Sequence, residues 1–289
     1  MHKIIVPASI RECILADLNN TLLGASHESG DLLPLMIEEQ RFDIELNELE
    51  EQIEIELKGK TLLEVGCGYG MSVVHGRLNR GLNIFGVEPS KNGFEGRYEI
   101  AAELLRQNEL ADEFIRCGTG EAIPFPDESF DIVFSFQVLE HVINPEQVIR
   151  ESARVLRPGG VLYINAPNYH SFYEGHYCVP WFPGLGKRLG TLYLRLIGRD
   201  PQYLLHLNFL SKSYLERIIL NTQSLEVIND YGLKEWIQWM QNISFDQYSR
   251  SQFERLVLLA DHLHLLGLLR VLGSRFNFQG TLRVLARKQ

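Results

Sequence analysis

Leu62-Leu63-Glu64-Val65-Gly66-Cys67-Gly68-Tyr69-Gly70 constrains the fold of this chain more than any other stretch. An apolar run ends beside an acid, and three glycines follow at alternate positions. Glycine accepts the positive φ that lets a strand turn sharply into a helix, and its missing Cβ lets a ligand lie against the backbone. The first N–H groups of the next helix have no partner within that helix. The pattern therefore predicts a nucleotide-like ligand at the carboxyl end of a parallel strand.

The dinucleotide fingerprint is G-x-G-x-x-G, with an acid about 20 residues further on. Here the glycines fall at 66, 68 and 70, and the acid is Glu88 in Ile84-Phe85-Gly86-Val87-Glu88-Pro89. With Glu64 ahead of the first glycine, the E-x-G-x-G-x-G form resembles the class I S-adenosylmethionine-dependent methyltransferases. A carboxylate at Glu64 suits the sulfonium and ammonium of that cofactor and would repel the pyrophosphate that a helix N-terminus otherwise favours.

Further phrases extend the resemblance to the small-molecule, ubiquinone-biosynthesis-like branch of that family. They are Gly118-Thr119-Gly120-Glu121-Ala122-Ile123-Pro124-Phe125-Pro126, Val138-Leu139-Glu140-His141-Val142 with Asn144-Pro145, and Leu156-Arg157-Pro158-Gly159-Gly160, the last ending a helix and opening a strand. The match covers roughly residues 58–167, and His206-Leu207-Asn208-Phe209-Leu210-Ser211 is a looser echo. The resemblance implies S-adenosyl-L-methionine as cofactor, held by Glu64, Gly66, Cys67, Gly68, Tyr69, Gly70, Glu88, Pro89, Thr119, Gly120, Glu121, Phe136, Gln137 and His141. Thr119 departs from the family, which usually carries an aspartate there. A hydroxyl accepts a hydrogen bond from the adenine amino group more weakly than a carboxylate does, and Glu121 is the alternative acceptor.

Alternation of strands and helices means a parallel sheet with right-handed crossovers. Strands are expected near 61–66, 83–88, 113–117, 132–136, 161–165, 225–229 and 281–286, and a helix over 213–221. The expected fold is α/β: a Rossmann-like, seven-stranded methyltransferase sheet with helices on both faces, whose last strand the family runs antiparallel. Residues 1–57 form an N-terminal helical segment. Residues 58–289 form the methyltransferase domain, with lid or substrate insertions at about 168–212 and 231–279.

The net charge of −9 argues against nucleic acid as the main partner, because phosphate backbones require basic surface. Eleven acids and one base, Arg41, fall between Glu28 and Glu56, and read as a solvated helix face. Cysteines at 13, 67, 117 and 178 show no metal or disulfide spacing, and the run from Met1 to Pro7 is too short for a signal peptide, so a cytoplasmic setting is expected. Residues 256–272 are apolar on most faces but carry Asp261, two histidines and Arg270, which spoil a membrane span. A buried helix, a homodimer face and a lipid-docking surface are the readings, in that order of preference.

The acceptor is expected over the carboxyl ends of the strands. The loop Asn168-Tyr169-His170-Ser171-Phe172-Tyr173-Glu174-Gly175-His176-Tyr177 there is dense in aromatics and imidazoles. His176 and His170 are the candidate general bases, Tyr169 is a further catalytic candidate, and His206 is a weaker one. Gln137 with Glu140 and His141 invites a metal reading, but a neutral amide is a poor ligand for a hard cation, and no metal is assigned. The expected activity is S-adenosylmethionine-dependent methylation, most readily O-methylation, of a small-molecule acceptor: a sugar, polyketide, quinone or lipid-linked compound. The alternative is a non-catalytic cofactor-binding protein of the same fold.

Overall fold

The structure, a computed structural model, describes residues 2–21, 29–90, 96–230, 262–265, 267–268, 271 and 280–289. Helices α1 (Ala8–Thr21), α2 (Ser29–Ile37) and α3 (Glu39–Ile53) precede the sheet. In α3, Phe42, Leu46, Leu49 and Ile53 recur at helical spacing and are buried, which turns one stripe of the helix onto the core. There follow β1 (Thr61–Val65), α4 (Met71–Arg80), β2 (Asn83–Glu88), α5 (Arg97–Gln107), β3 (Ile115–Cys117), β4 (Phe130–Phe136), α6 (Pro145–Val155) and β5 (Leu156–Pro167). The 168–212 insertion carries β6 (Tyr173–Glu174), β7 (Val179–Pro180), α7 (Lys187–Leu196) and α8 (Gln202–His206). The chain then forms α9 (Lys212–Asn221), β8 (Leu225–Asp230) and β9 (Thr281–Lys288).

The seven-stranded sheet has the order β3-β2-β1-β4-β5-β9-β8. β1 to β5 run parallel, and β9 is antiparallel to both β5 and β8. The order reverses between β1 and β4, which opens a crevice at their carboxyl ends. Alternation along each strand supplies two cores. Leu62, Ile132, Phe134 and Tyr163 face one layer, while Leu63, Val65, Val133, Leu162 and Ile164 face the other. A third, smaller core lies in the insertion, where Tyr177, Trp181, Leu194, Leu204 and Leu207 pack together.

Caps explain several boundaries. Asn144 accepts a hydrogen bond from the Gln147 N–H and Pro145 opens α6, while Ser211 accepts from the Tyr214 N–H at the start of α9. Two expectations shift. Residues 112–114 form a 3-10 turn that delays β3. The 156–160 phrase lies wholly in β5: Leu156 is already extended and pairs with Phe130, and an irregularity between Phe130 and Ile132 absorbs the extra residues.

The acidic run is not simply a solvated face. His75 Nε2 lies 3.3 Å from Asp43, and Arg80 bonds Asn47 and Glu50, so α3 is laced to α4. Glu48 turns inward and accepts from Tyr163, Asn165 and Arg283 at 2.7–2.9 Å. Most of 256–272 lies outside the described residues. Its Leu263, Leu265, Leu268 and Val271 are exposed. Among the described residues no helix is long and apolar enough to cross a membrane.

Candidate active site

The glycine turn is pinned to the end of β2. The N–H groups of Gly66 and Cys67 both donate to the Val87 carbonyl, and the Gly68 N–H donates to Glu88 Oε2 at 2.8 Å. Gly66 has φ +78°, and a Cβ there would sit 2.5 Å from Val138 Cγ2. Gly68 has φ +57°, and a Cβ there would meet nothing within 4 Å, so its bare backbone borders open space.

That space is a cavity of about 260 Å³ at the switch between β1 and β4. Of the fourteen positions expected to hold cofactor, thirteen line it: Glu64, Gly66, Cys67, Gly68, Tyr69, Glu88, Pro89, Thr119, Gly120, Glu121, Phe136, Gln137 and His141. Gly70 does not; it has φ +80°, caps α4, and donates to the Cys67 carbonyl, holding the turn from behind.

Two buried carboxylates face the cavity. Burial pushes Glu64 up to about 8, opposed by a hydrogen bond from Ser72 Oγ and reinforced by the negative charge of Glu45 and Glu88. Burial raises Glu88 to about 7 against the pull of Arg97 and the Gly68 N–H. Arg97 is held by Asp17 at 2.7 Å, which also accepts from Tyr69 Oη at 2.6 Å. A wall with two under-neutralised carboxylates fits a ligand that brings positive charge, and so fits S-adenosylmethionine better than a phosphorylated dinucleotide.

Glu121 Oε1 accepts from the N–H groups of Ile143 and Asn144 at 2.8 and 3.1 Å, so part of its capacity is spent tethering the segment before α6. Gln137 has φ +53° and donates from Nε2 to Asn165 Oδ1 at 2.6 Å. Asn165 in turn donates to Glu48. A non-glycine residue held in the left-handed region at a cavity wall is strained backbone retained by its neighbours.

Sequence reasoning missed the wall supplied from upstream. Leu18, Met36, Arg41, Phe42 and Glu45 all line the cavity, and Arg41 Nε bonds Glu45 Oε1 at 2.9 Å. Burial raises Glu45 although Arg41 opposes it. No motif marks these residues, since helices without a ligand fingerprint bring them there. Arg97, the first residue of α5, was missed too; no motif marks it.

The catalytic candidates separate. His176 Nδ1 lies 2.8 Å from Glu174 Oε1, and its ring meets that of His141 edge-on at 5.4 Å. Burial alone would lower His176, but the Glu174 hydrogen bond and the charges of Glu174 and Glu140 outweigh it and hold it above the ordinary histidine value. Burial, with His176 and Arg97 nearby, depresses His141 to about 3. Tyr169 is buried, stacks on Phe209 at 4.0 Å and donates to Glu174; burial raises its pKa, and it does not line the cavity. Neither His170 nor His176 lines the cavity: the His170 backbone N–H bonds Asn168, and His176 adjoins the cavity wall through the ring of His141. His206 is exposed; the residue that anchors the insertion is Asn208, which donates to the carbonyls of Leu139, Glu140 and Val142.

Glu140 is fully buried, and neither of its carboxylate oxygens has a hydrogen-bond partner. Burial raises it to about 7, with His176 opposing. Ligand-capable atoms of Glu140, His141 and His176 lie within 4.8 Å of one another. Among the described residues, His176 thus joins the pair that the sequence had grouped with Gln137.

The profile of a family described as a methyltransferase domain matches residues 63–164. An uncharacterized methyltransferase of Mycolicibacterium vanbaalenii is 34% identical over 145 residues, covering 50% of this chain and 53% of that protein. A ubiquinone biosynthesis O-methyltransferase of Coxiella burnetii is 31% identical over 125 residues, covering 43% of this chain and 50% of the relative. The chain thus spans about half the length of the curated relatives it matches. Among solved structures, the cyclase SpnF is 18% identical with a TM-score of 0.50, each chain covered to 99%. YcgJ of Bacillus subtilis is 16% identical with a TM-score of 0.50, covering 86% of this chain and 99% of that one. These two likenesses speak to the fold alone, and one fold hosts different chemistries.

Proposed function

We propose that this chain, whose residues 63–164 match a methyltransferase-domain family, is a class I S-adenosylmethionine-dependent methyltransferase acting on a hydroxyl of a small-molecule acceptor. A sugar, polyketide, quinone or lipid-linked compound would fit. The single observation carrying the reading is the cavity at the switch point, walled by the buried carboxylates Glu64 and Glu88, with the His176–Glu174 pair lying behind the His141 that lines it. When bound, S-adenosylmethionine supplies an electrophilic methyl group on a sulfonium. Glu64 and Glu88 would balance its positive charge and accept from its hydroxyls, with the open backbone at Gly68 lying against it. Thr119, Gly120 and Glu121 would border the adenine; Gly66, Cys67, Tyr69, Pro89, Phe136, Gln137 and His141 complete the wall, and Gly70 fixes the turn.

His176 is the general base in this reading. With Nδ1–H donating to Glu174, Nε2 is left to accept the proton of the acceptor hydroxyl, and Glu174 stabilises the imidazolium that results. Phe136 and the insertion exclude water, and Asn208 ties the insertion to the loop after β4. A second reading rests on the buried Glu140 carboxylate, which has no hydrogen-bond partner: with His141 and His176 it offers a donor set suited to a divalent transition ion that would polarise the acceptor.

The test is calorimetric titration with S-adenosylmethionine and S-adenosylhomocysteine, beside NADH and a Gly66→Trp variant. Saturable binding lost in the variant, followed by formation of S-adenosylhomocysteine with a hydroxylated acceptor, supports the enzyme. Binding without turnover across the acceptors would favour the non-catalytic alternative, and no binding by folded protein would sink both. Cobalt titration followed by visible absorption separates the metal reading from the base reading.

A further inference from the structure

The outer face of α7 has no role in the cavity. Its burial pattern is sharply two-sided. Gly190 and Leu194 are buried, Gly190 lying so close to Trp181 that a Cβ would fall 2.6 Å from its ring. On the opposite side Leu189, Leu192 and Leu196 are 61%, 54% and 77% exposed. At about 100° per residue these three leucines share a wedge of about 60°, and Arg188 and Arg195 border it on one edge.

Charge is as one-sided as burial. From Gly175 to Arg199 the chain has four cations, Lys187, Arg188, Arg195 and Arg199, and no acid, although the protein as a whole carries −9. Among the described residues, Arg188, Arg195 and Arg199 make no ion pair. An apolar stripe bordered by arginines is the pattern of a helix that lies in the plane of a membrane surface, its leucines among the acyl chains and its cations at anionic headgroups. A second copy is a poorer occupant, because a two-fold contact through this wedge would bring its arginines against their own counterparts.

We propose that α7 docks the protein on an anionic lipid surface. The rest of the acidic molecule is repelled by such a surface, so this face also sets the orientation of the bound protein. The inference stands on the helix face and does not depend on which acceptor is methylated.

The experiment is co-sedimentation of the full chain with vesicles of phosphatidylcholine alone and of phosphatidylcholine mixed equally with phosphatidylglycerol. Wild-type protein is expected on the mixed vesicles only, released as salt rises. Arg188→Gln/Arg195→Gln should lower the partition coefficient about 25-fold, from about 5-fold per cation near an anionic surface. Leu189→Ser/Leu192→Ser/Leu196→Ser should lower it at least about 10-fold through lost apolar insertion. Both variants change exposed side chains only, so thermal melts and calorimetric titration with S-adenosylmethionine should match wild type. Wild-type protein that ignores the mixed vesicles overturns the proposal, as does binding that neither variant weakens. A wild-type dimer that the leucine variant converts to monomer, with no vesicle binding, would reassign the face to a contact between copies.

Discussion

If Glu64 and Glu88 meet a cationic ligand, binding must release protons. Burial places Glu64 at about 8 and Glu88 at about 7. At pH 7 the first is about nine-tenths protonated and the second about half, so ionising both on binding releases about 1.4 protons. The cost of that ionisation is about 1.4 kcal/mol for Glu64 and about 0.4 kcal/mol for Glu88, with one pKa unit worth about 1.36 kcal/mol. Affinity should therefore rise about 20-fold from pH 7 to pH 9 before the ligand's own amino group is considered. Calorimetry in two buffers of different ionisation enthalpy counts the protons directly. Glu64→Gln should lower the count at pH 7 from about 1.4 to about 0.5, and because the ligand is unchanged its own titration cancels from the difference. Equal proton release by wild type and variant would refute the placement of Glu64 against the ligand's charge. Release near zero in both would refute the account of the pair.

Glu64 also predicts how the ligand-free protein responds to pH. Its folded pKa is raised above the unfolded value, so its stability contribution is greatest below about pH 4.5 and is lost as pH rises to about 8. Glu64→Gln should therefore melt at a temperature that exceeds wild type by a margin growing across that window; a constant margin in differential scanning fluorimetry would count against it. Gly66→Ala forces a positive φ on alanine and a Cβ 2.5 Å from Val138 Cγ2, and should cost about 2–4 kcal/mol in urea unfolding. His176→Gln should leave cofactor affinity unchanged and lower kcat by about 100-fold or more once an acceptor is found, and it should remove the acidic limb of the pH–rate profile. Asn208→Ala orphans the carbonyls of Leu139 and Val142, at a cost of about 1–3 kcal/mol, and should speed hydrogen exchange in 203–210 while that in β1 is unchanged.

The chain's sequence determined the individual strands and the turn, because their patterns are local. Leu62 to Val65 must be a buried strand, and glycines at 66, 68 and 70 permit only a sharp turn at its end. An acid that closes the next strand, as Glu88 does, must then reach that turn, and it bonds Gly68. The antiparallel last strand followed from resemblance alone, and β9 does pair antiparallel with β5. What the tertiary structure decided is long-range. Arg41, Phe42 and Glu45 reach the cavity because one stripe of α3 packs on the core, and nothing within α3 marks them as ligand-facing. The sequence named His176 and His170 as candidate bases and Tyr169 as a further candidate, but only packing places His176, held by Glu174, beside His141, and buries Tyr169 against Phe209. Glu140 read as part of a motif; that neither of its oxygens has a hydrogen-bond partner, and that Oε1 lies 3.6 Å from His141 Nε2, is visible only in the folded chain. Local sequence specifies which backbone conformations are allowed; the charge state and company of a side chain depend on what distant segments remove from solvent.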